Sequence, residues 1–343
     1  MAHCACACSS VERQWIRPPK KDVGKAGWFR IAMTHVATLV CDPAFPVLTG
    51  ELVARACKNL TNPARPQWLE ADIAVDIPFE PIAPDSSRTV ADRLRGALES
   101  TAVDVFVQAL KGRRKKLLLA DMDSTMIGQE CIDELAGEIG KRAEIAAITV
   151  RAMRGEIAFE PALRERVALL KGLDRATIFS VIASRITLTK GGLALVQTMR
   201  RNGAYTALIS GGFSVFTSAI AGKLGFDEHQ ANELLFDEDG RASGFVAEPV
   251  LGRQAKFSAL TRLRERLRLC ADETLAVGDG ANDLAMLEAA GFGVAFRAKP
   301  TVASSAHARV DHSDLTALLY AQGYRRDEFV TSIDHASRPT QFL

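Results

Sequence analysis

Leu117-Leu118-Leu119-Ala120-Asp121-Met122-Asp123-Ser124-Thr125 is the stretch on which the fold turns. Four apolar or small residues stand between charged neighbours, the pattern of a strand buried on both faces. Such a strand belongs in a parallel sheet, and its C-terminal end opens on the crevice where these sheets bind ligands. Asp121 and Asp123 would both sit there, one at the strand tip and one on the loop beyond. Two carboxylates that close repel each other unless a cation neutralises one or a proton stays on the other. A hard divalent cation such as magnesium takes oxygen ligands. That leaves one aspartate to attack and one to carry a proton. A calcium loop is excluded, because Met126 stands where the turn glycine is required and Ile132 where the bidentate glutamate belongs. A solvated acidic turn stays open on this stretch alone.

The rest of the composition narrows the class. With 343 residues the chain can form two or three domains, and 48% hydrophobic with 24% charged residues reads as soluble and globular. A net charge of +2 argues against a nucleic-acid partner held by a strong electrostatic field. No apolar run approaches the length of a membrane span, so no membrane partner is expected. The seven cysteines are odd in number and scattered, which suggests free thiols in a reducing, cytoplasmic setting. Cys4, Cys6 and Cys8 alternate and so lack the C-x-x-C spacing of a zinc knuckle.

Residues 1–32 are basic, show no sustained periodicity and lack the apolar core of a secretory signal. They read as a disordered extension, or as the product of a start codon upstream of Met33. Residues 33–110 alternate strands at 35–41, 68–77 and 103–108 with helices at 48–60 and 89–100, a small α+β module. Lys111–Lys116 (KGRRKK) reads as a solvated linker. Residues 111–323 form the main domain, with a mainly helical insertion at about 130–200. Within the insertion, Phe159 to Arg166 mixes an aromatic with two arginines, and a solvated helix face is the default reading.

A second buried strand at 206–209 runs into Ser210-Gly211-Gly212 and a helix from Phe213. A tight turn there would offer backbone N–H groups and a helix dipole to an anion. Residues 233–236 and 241–246 flank a hairpin turn. Lys256 falls in the first turn of a helix, where the dipole disfavours a cation, so a phosphate partner is worth considering. A third buried strand at 274–277 ends in Gly278-Asp279-Gly280-Ala281-Asn282-Asp283, too acidic for pyrophosphate and better suited to a metal ion. A short strand at 294–296 follows. Residues 324–343 read as a mobile tail.

Nearly all these motifs follow buried strands, whose tips a parallel sheet brings to one edge. A metal site, a phosphate anchor, a nucleophile and a proton donor then converge, the set that phosphoryl transfer needs. DMDST, LISGG, Lys256 and GDGAND together resemble the four signature motifs of the haloacid dehalogenase superfamily of phosphatases. Glu130, FEPALRERVALLKGL and GDGANDLAML make the likeness closer to its phosphoserine-hydrolysing members. The resemblance covers about residues 115–320.

It implies an α/β fold: a three-layer Rossmann-like core with a parallel sheet, a helical cap inserted after the first strand, and a small N-terminal α+β (ACT-like) module. It also implies magnesium-dependent hydrolysis of phosphoserine, the last step of serine biosynthesis. Asp121 would form an aspartyl-phosphate. Asp123 would protonate the leaving alkoxide, then activate water. Magnesium would take Asp121, the Asp123 carbonyl and Asp279, supported by Asp283. Ser210, the Gly211 N–H, Lys256 and Asn282 would attend the phosphoryl group. Glu130 would meet the substrate ammonium and Arg166 its carboxylate, and Phe159 would close the site. The same motifs would serve a phosphotransferase with an acceptor such as homoserine, and residues 33–110 of an idle protein could sense serine. The oligomeric state is open, with a homodimer among the options.

Overall fold

A computed structural model describes residues 33–83, 85–154 and 156–333. The expectations for residues 1–32, and for the last ten residues of the tail, fall outside them.

The chain first lays down β1 (His35–Cys41), α1 (Gly50–Cys57), β2 (Gln67–Glu70), β3 (Ala74–Phe79), α2 (Ser87–Ala97) and β4 (Val103–Ala109). This is a β-α-β-β-α-β unit whose antiparallel sheet has the order β2-β3-β1-β4. Thr49 and Ser86 cap the two helices by accepting from the amides of Leu52 and Thr89. The single strand expected at 68–77 is two strands instead. Asp72 sits at φ 60° and turns the chain between them, a conformation its short polar side chain tolerates.

The second sheet carries the site. Its strands are β5 (Leu117–Ala120), β6 (Tyr205–Phe213), β7 (Glu228–Asn232), β10 (Thr274–Gly278), β11 (Phe292–Phe296) and β12 (Ala308–Val310). Between β7 and β10 lies a small antiparallel hairpin of β8 (Leu234–Phe236) and β9 (Ala242–Val246). The six strands are parallel, in the order β12-β11-β10-β5-β6-β7. All four residues of β5 are fully buried, as a central strand covered on both faces requires. After β5 the chain builds outward through β6 and β7, then returns to the other side of β5 with β10. The order therefore reverses between β5 and β10, the crevice where open α/β sheets bind ligands.

Helices α3 (Cys131–Glu138), α4 (Arg142–Met153), α5 (Phe159–Ala168) and α6 (Arg175–Ser184) form the insertion after β5. Its two ends meet in a stalk. Ile127 bridges Leu188, and the Gln129 side chain donates to Thr187 Oγ1 at 2.8 Å and accepts from the Thr187 amide at 2.9 Å. The insertion therefore closes near residue 188, short of the expected 200. The next helix, α7 (Gly192–Arg201), packs on β6, and Gln197 Nε2 donates to Leu224 O at 2.6 Å. The remaining helices are α8 (Ser214–Leu224), α9 (Arg253–Leu267), α10 (Leu284–Ala289), α11 (Pro300–Ser305) and α12 (Ala317–Ala321).

A segment read as a solvated linker and part of one read as a mobile tail are docked. In the KGRRKK run, Arg113 pairs with Asp76 at 2.5 Å and Arg114 with Glu328 at 2.7 Å. Lys115 Nζ donates to the carbonyls of Gly112 and Asp272, and Lys116 pairs with Glu273. The first ten residues of the supposed tail pack as well. Tyr324 is buried, Phe329 lies 4.9 Å ring to ring from Tyr320, and Val330 N donates to Thr198 Oγ1.

Candidate active site

The tips of β5, β6 and β10 are neighbours, so the residues that follow them face one another. Asp121 leaves β5 with its amide donating to Val277 O on β10 at 3.0 Å. Its Oδ1 accepts from the Met122 amide and lies 2.7 Å from Lys256 Nζ. Lys256 reaches in from the first turn of α9, and its Nζ is also 2.6 Å from Asp283 Oδ1. All three side chains are buried. Burial pulls the Lys256 pKa down, but the charges of Asp121 and Asp283 outweigh it and leave it raised. Burial drives Asp121 well above the usual carboxylate range; Asp283 adds to the rise and Lys256 opposes it.

Asp123 stands on the tight turn beyond β5. Its Oδ1 accepts from the Cys131 amide at 3.0 Å and its Oδ2 from the Ser210 hydroxyl at 3.3 Å. Burial raises its pKa too, with Cys131 and Lys256 opposing. The turn places Ser124 at φ 54° and lets its hydroxyl donate to Glu130 Oε1 at 2.7 Å. Glu130 keeps an exposed outer side, while burial of its carboxyl in the cavity, with Asp123 nearby, raises its pKa to about 7.

The small-residue stretch after 209 is not the turn expected from sequence. Ser210, Gly211 and Gly212 continue β6 through an irregularity against β7, and α8 begins only at Ser214. Glycine is needed at 212, because a Cβ there would lie 2.8 Å from Asp123 Oδ2 and 3.1 Å from Ser210 Oγ. Gly212 N donates to Ser210 Oγ at 2.9 Å. Asn232, which sequence reasoning missed, clamps this stretch. Its Nδ2 donates to Gly211 O and Leu251 O, and its Oδ1 accepts from the Leu251 amide. That ties β6 to the loop leading into Lys256.

After β10, carboxylate oxygens of Asp279, Asp121 and Asp283 lie within 4.8 Å of one another. Three hard oxygen donors on one spot fit a divalent cation. Asp279 has its pKa raised to about 6, by burial first and by Asp283 second. Asp283 also accepts from the Gly280 amide at 3.0 Å, which folds the loop back on itself.

These groups open on a cavity of about 710 Å³ between the sheet edge and the insertion. Asp121, Asp123, Glu130, Ser210, Gly211, Asp279 and Asn282 line it, with Phe159 and Arg166 from α5. Phe159 packs over Gly211 and Gly252, where a Cβ would come within 3.2 and 3.4 Å of its ring. Arg166 is half-buried, and its Nε donates to Ala162 O at 3.2 Å. No carboxylate among the described residues lies within ion-pair distance of it. Burial lowers its pKa, while Asp133 and Glu130 oppose that. The structure thus brings together every residue singled out from the sequence, with one change of place. Lys256 and Asp283 are buried beside Asp121 and are not among the side chains that line the cavity.

Residues 118–288 match the haloacid dehalogenase-like hydrolase family. The phosphoserine phosphatase of Streptomyces coelicolor is 42% identical over 68% of this chain, although the match spans only 58% of that protein. A probable phosphoserine phosphatase of Schizosaccharomyces pombe is 43% identical over 66% of this chain and 76% of its own length. The chain belongs to the phosphoserine phosphatases of the haloacid dehalogenase-like hydrolase family. A solved structure in this family, a phospho-aspartyl intermediate analogue of phosphoserine phosphatase, superimposes with a TM-score of 0.56. It is 39% identical and covers 60% of this chain and 98% of its own. The family places the chain among phosphoric monoester hydrolases. Among the described residues no helix is long and apolar enough to cross a membrane.

Proposed function

We propose that this chain hydrolyses O-phospho-L-serine to L-serine and phosphate through an aspartyl-phosphate at Asp121, in the cytoplasm. One observation carries the substrate. The cavity that holds Asp121 and Asp123 is walled on its cap side by Glu130 and by Arg166, which has no carboxylate within ion-pair distance among the described residues. A carboxylate and a guanidinium are the pair that reads the two charges of a free amino acid.

In this reading a carboxylate oxygen of Asp121 attacks phosphorus as the bond to the serine oxygen breaks. Lys256 holds Asp121 in place and offsets its charge. Asp123 gives its proton to the departing alkoxide. The raised pKa of Asp123 supports that role, since a general acid must hold its proton near neutral pH. Water then attacks the phosphorus of the intermediate, Asp123 takes its proton, and the bond to Asp121 breaks. Ser210 and the Gly211 amide hold phosphoryl oxygens, with Asn282 near them. Phe159 keeps bulk water out while α5 covers the cavity. Asp121 and Asp279, together with Asp283 and the Asp123 carbonyl, would hold a magnesium ion. What the ion supplies when bound is relief of the repulsion between phosphoryl oxygens and carboxylates.

The test is phosphate release from a panel of phosphomonoesters with magnesium, with and without homoserine. The expected result is the highest kcat/KM for phosphoserine, with free phosphate as the product in both cases. Equal rates across the panel would refute the substrate, and phosphohomoserine as the main product would make the chain a phosphotransferase.

A further inference from the structure

A second cleft, of about 230 Å³, lies between α2 of the first sheet's unit and the α11–β12 segment of the second. Arg88, Arg95 and Arg309 line it against a single carboxylate, Asp92, with Ser304 and His307 on the same wall. Like charges are not gathered into a groove without cost. Arg95 is half-buried; its Nη1 pairs with Asp92 at 2.7 Å and its Nη2 donates to Val105 O at 3.0 Å. Burial lowers the Arg95 pKa, and the facing charge of Arg309 lowers it further. Arg309 Nε lies 2.8 Å from Asp311 Oδ2, yet it makes no well-formed hydrogen bond and its nitrogen is buried. Arg88 is exposed and has no ion-pair partner among the described residues. It sits in the first turn of α2, where no acidic residue is present and the helix dipole disfavours a cation. His307 Nδ1 accepts from the Gly293 amide at 3.2 Å, which leaves its proton on Nε2.

We propose that this cleft binds a small oxyanion, a phosphate or a carboxylate, held between the two sheet units by Arg88, Arg95 and Arg309. Guanidinium forks match both groups, and charge-assisted hydrogen bonds to them are the strong kind. The volume suits a single small anion and is below the usual range for a nucleotide-sized ligand. The occupant would rest on α11. That helix and its N-cap also carry Lys299, Thr301 and Val302 into the wall of the active-site cavity, while Ala303 and Ser304 face the cleft. The inference does not rest on phosphoserine, and failure of the phosphate-release assay would leave it intact.

Backbone amide shifts of the full-length, isotope-labelled chain test it during titration with inorganic phosphate and, separately, with malonate. The amides of Arg95, Ser304 and Ala308 report the cleft, and those of Gly211, Gly212 and Gly280 report the active site. Saturable movement of the cleft amides is expected with at least one anion. Phosphate alone, malonate alone or both would assign the chemistry of the site. Arg88→Glu and Arg309→Gln should each weaken the cleft affinity by about tenfold or more, with the active-site shifts unchanged. Melting curves check that both variants fold; Arg88 is exposed, so its variant decides the matter even where the other does not fold. No saturable movement with either anion, or cleft affinities unchanged by Arg88→Glu, would overturn the proposal.

Discussion

A lysine buried between two buried carboxylates is held by geometry rather than by its charge alone. Removing one partner of such a set leaves an uncompensated charge, while a neutral isostere keeps the shape. Asp121→Asn should therefore leave the fold intact, with Lys256 still 2.6 Å from Asp283. Phosphate release should fall on the order of 10⁴-fold or more, the scale of losing a covalent nucleophile. A far-ultraviolet spectrum and melting curve like the wild type, with activity above a tenth of it, would remove Asp121 as nucleophile. Arg166 makes a different prediction, because in the proposed reading it meets the substrate carboxylate and not the phosphorus. Arg166→Ala should cost about 1.5–3 kcal/mol in kcat/KM for phosphoserine, roughly 10- to 150-fold. It should leave p-nitrophenyl phosphate nearly unaffected, and equal losses on both substrates would contradict the assignment. Both residues were legible in the sequence: Asp121 because it ends a buried strand, Arg166 only through the family likeness. Asn232 was not legible. Its work is done through backbone groups 19 and 21 residues away, which leave no pattern in the chain.

At the scale of elements, the segment after β5, the start of the insertion and the loop after β10 crowd carboxylates around one cavity. Burial raises Asp279 to about 6 and Glu130 to about 7, and drives Asp121 and Asp123 upward as well. Folded-state pKa values above the unfolded ones mean that the folded chain binds more protons in between. Without metal, this contribution to stability is complete below pH about 4 and is lost as pH rises through about 6–7. A bound cation favours the ionised carboxylates and should restore it. The gain in melting temperature from magnesium over chelator should thus be larger at pH 7.5 than at pH 5. Equal gains at both would mean that Asp121 and Asp279 are not the ligands. The strands behind the site were readable because β5, β6 and β10 are continuous apolar runs. Element ends were less so. Alternation across 68–77 hid a hairpin, since a two-residue period says nothing of an aspartate that reverses the chain. Ser210-Gly211-Gly212 looked like a turn by composition, but pairing of Ile209 before it and Phe213 after it with β7, and the Asn232 clamp on Gly211, keep it in the strand.

Across the whole molecule, the first sheet is fastened to the second by polar groups. Asp104 in β4 accepts from the amides of Asp311, His312 and Ser313, at 2.7 Å from the first and 2.8 Å from the last. Gln108 Nε2 donates to Ala321 O at 2.6 Å, and the Tyr320 hydroxyl donates to Glu70. Alternating polar residues on a strand suggest a solvated face, and a backbone amide as partner carries no side-chain signal at all. The docking was invisible in the sequence for that reason. Asp104→Ala would leave those donors without their acceptor, at a cost of about 1–3 kcal/mol, or a fall of roughly 2–8 °C in melting temperature. Hydrogen exchange should quicken first at residues 311–313 and last in β5 and β10, which lie at the centre of the other sheet. Because every carboxylate of the site follows a strand of that second sheet or belongs to the insertion it carries, kcat for phosphomonoesters should change little at temperatures below the transition. A variant with an unchanged melting curve and unchanged exchange at 311–313 would show that Asp104 does not hold the two sheets together. Loss of kcat at full stability would instead make the interface part of the catalytic apparatus.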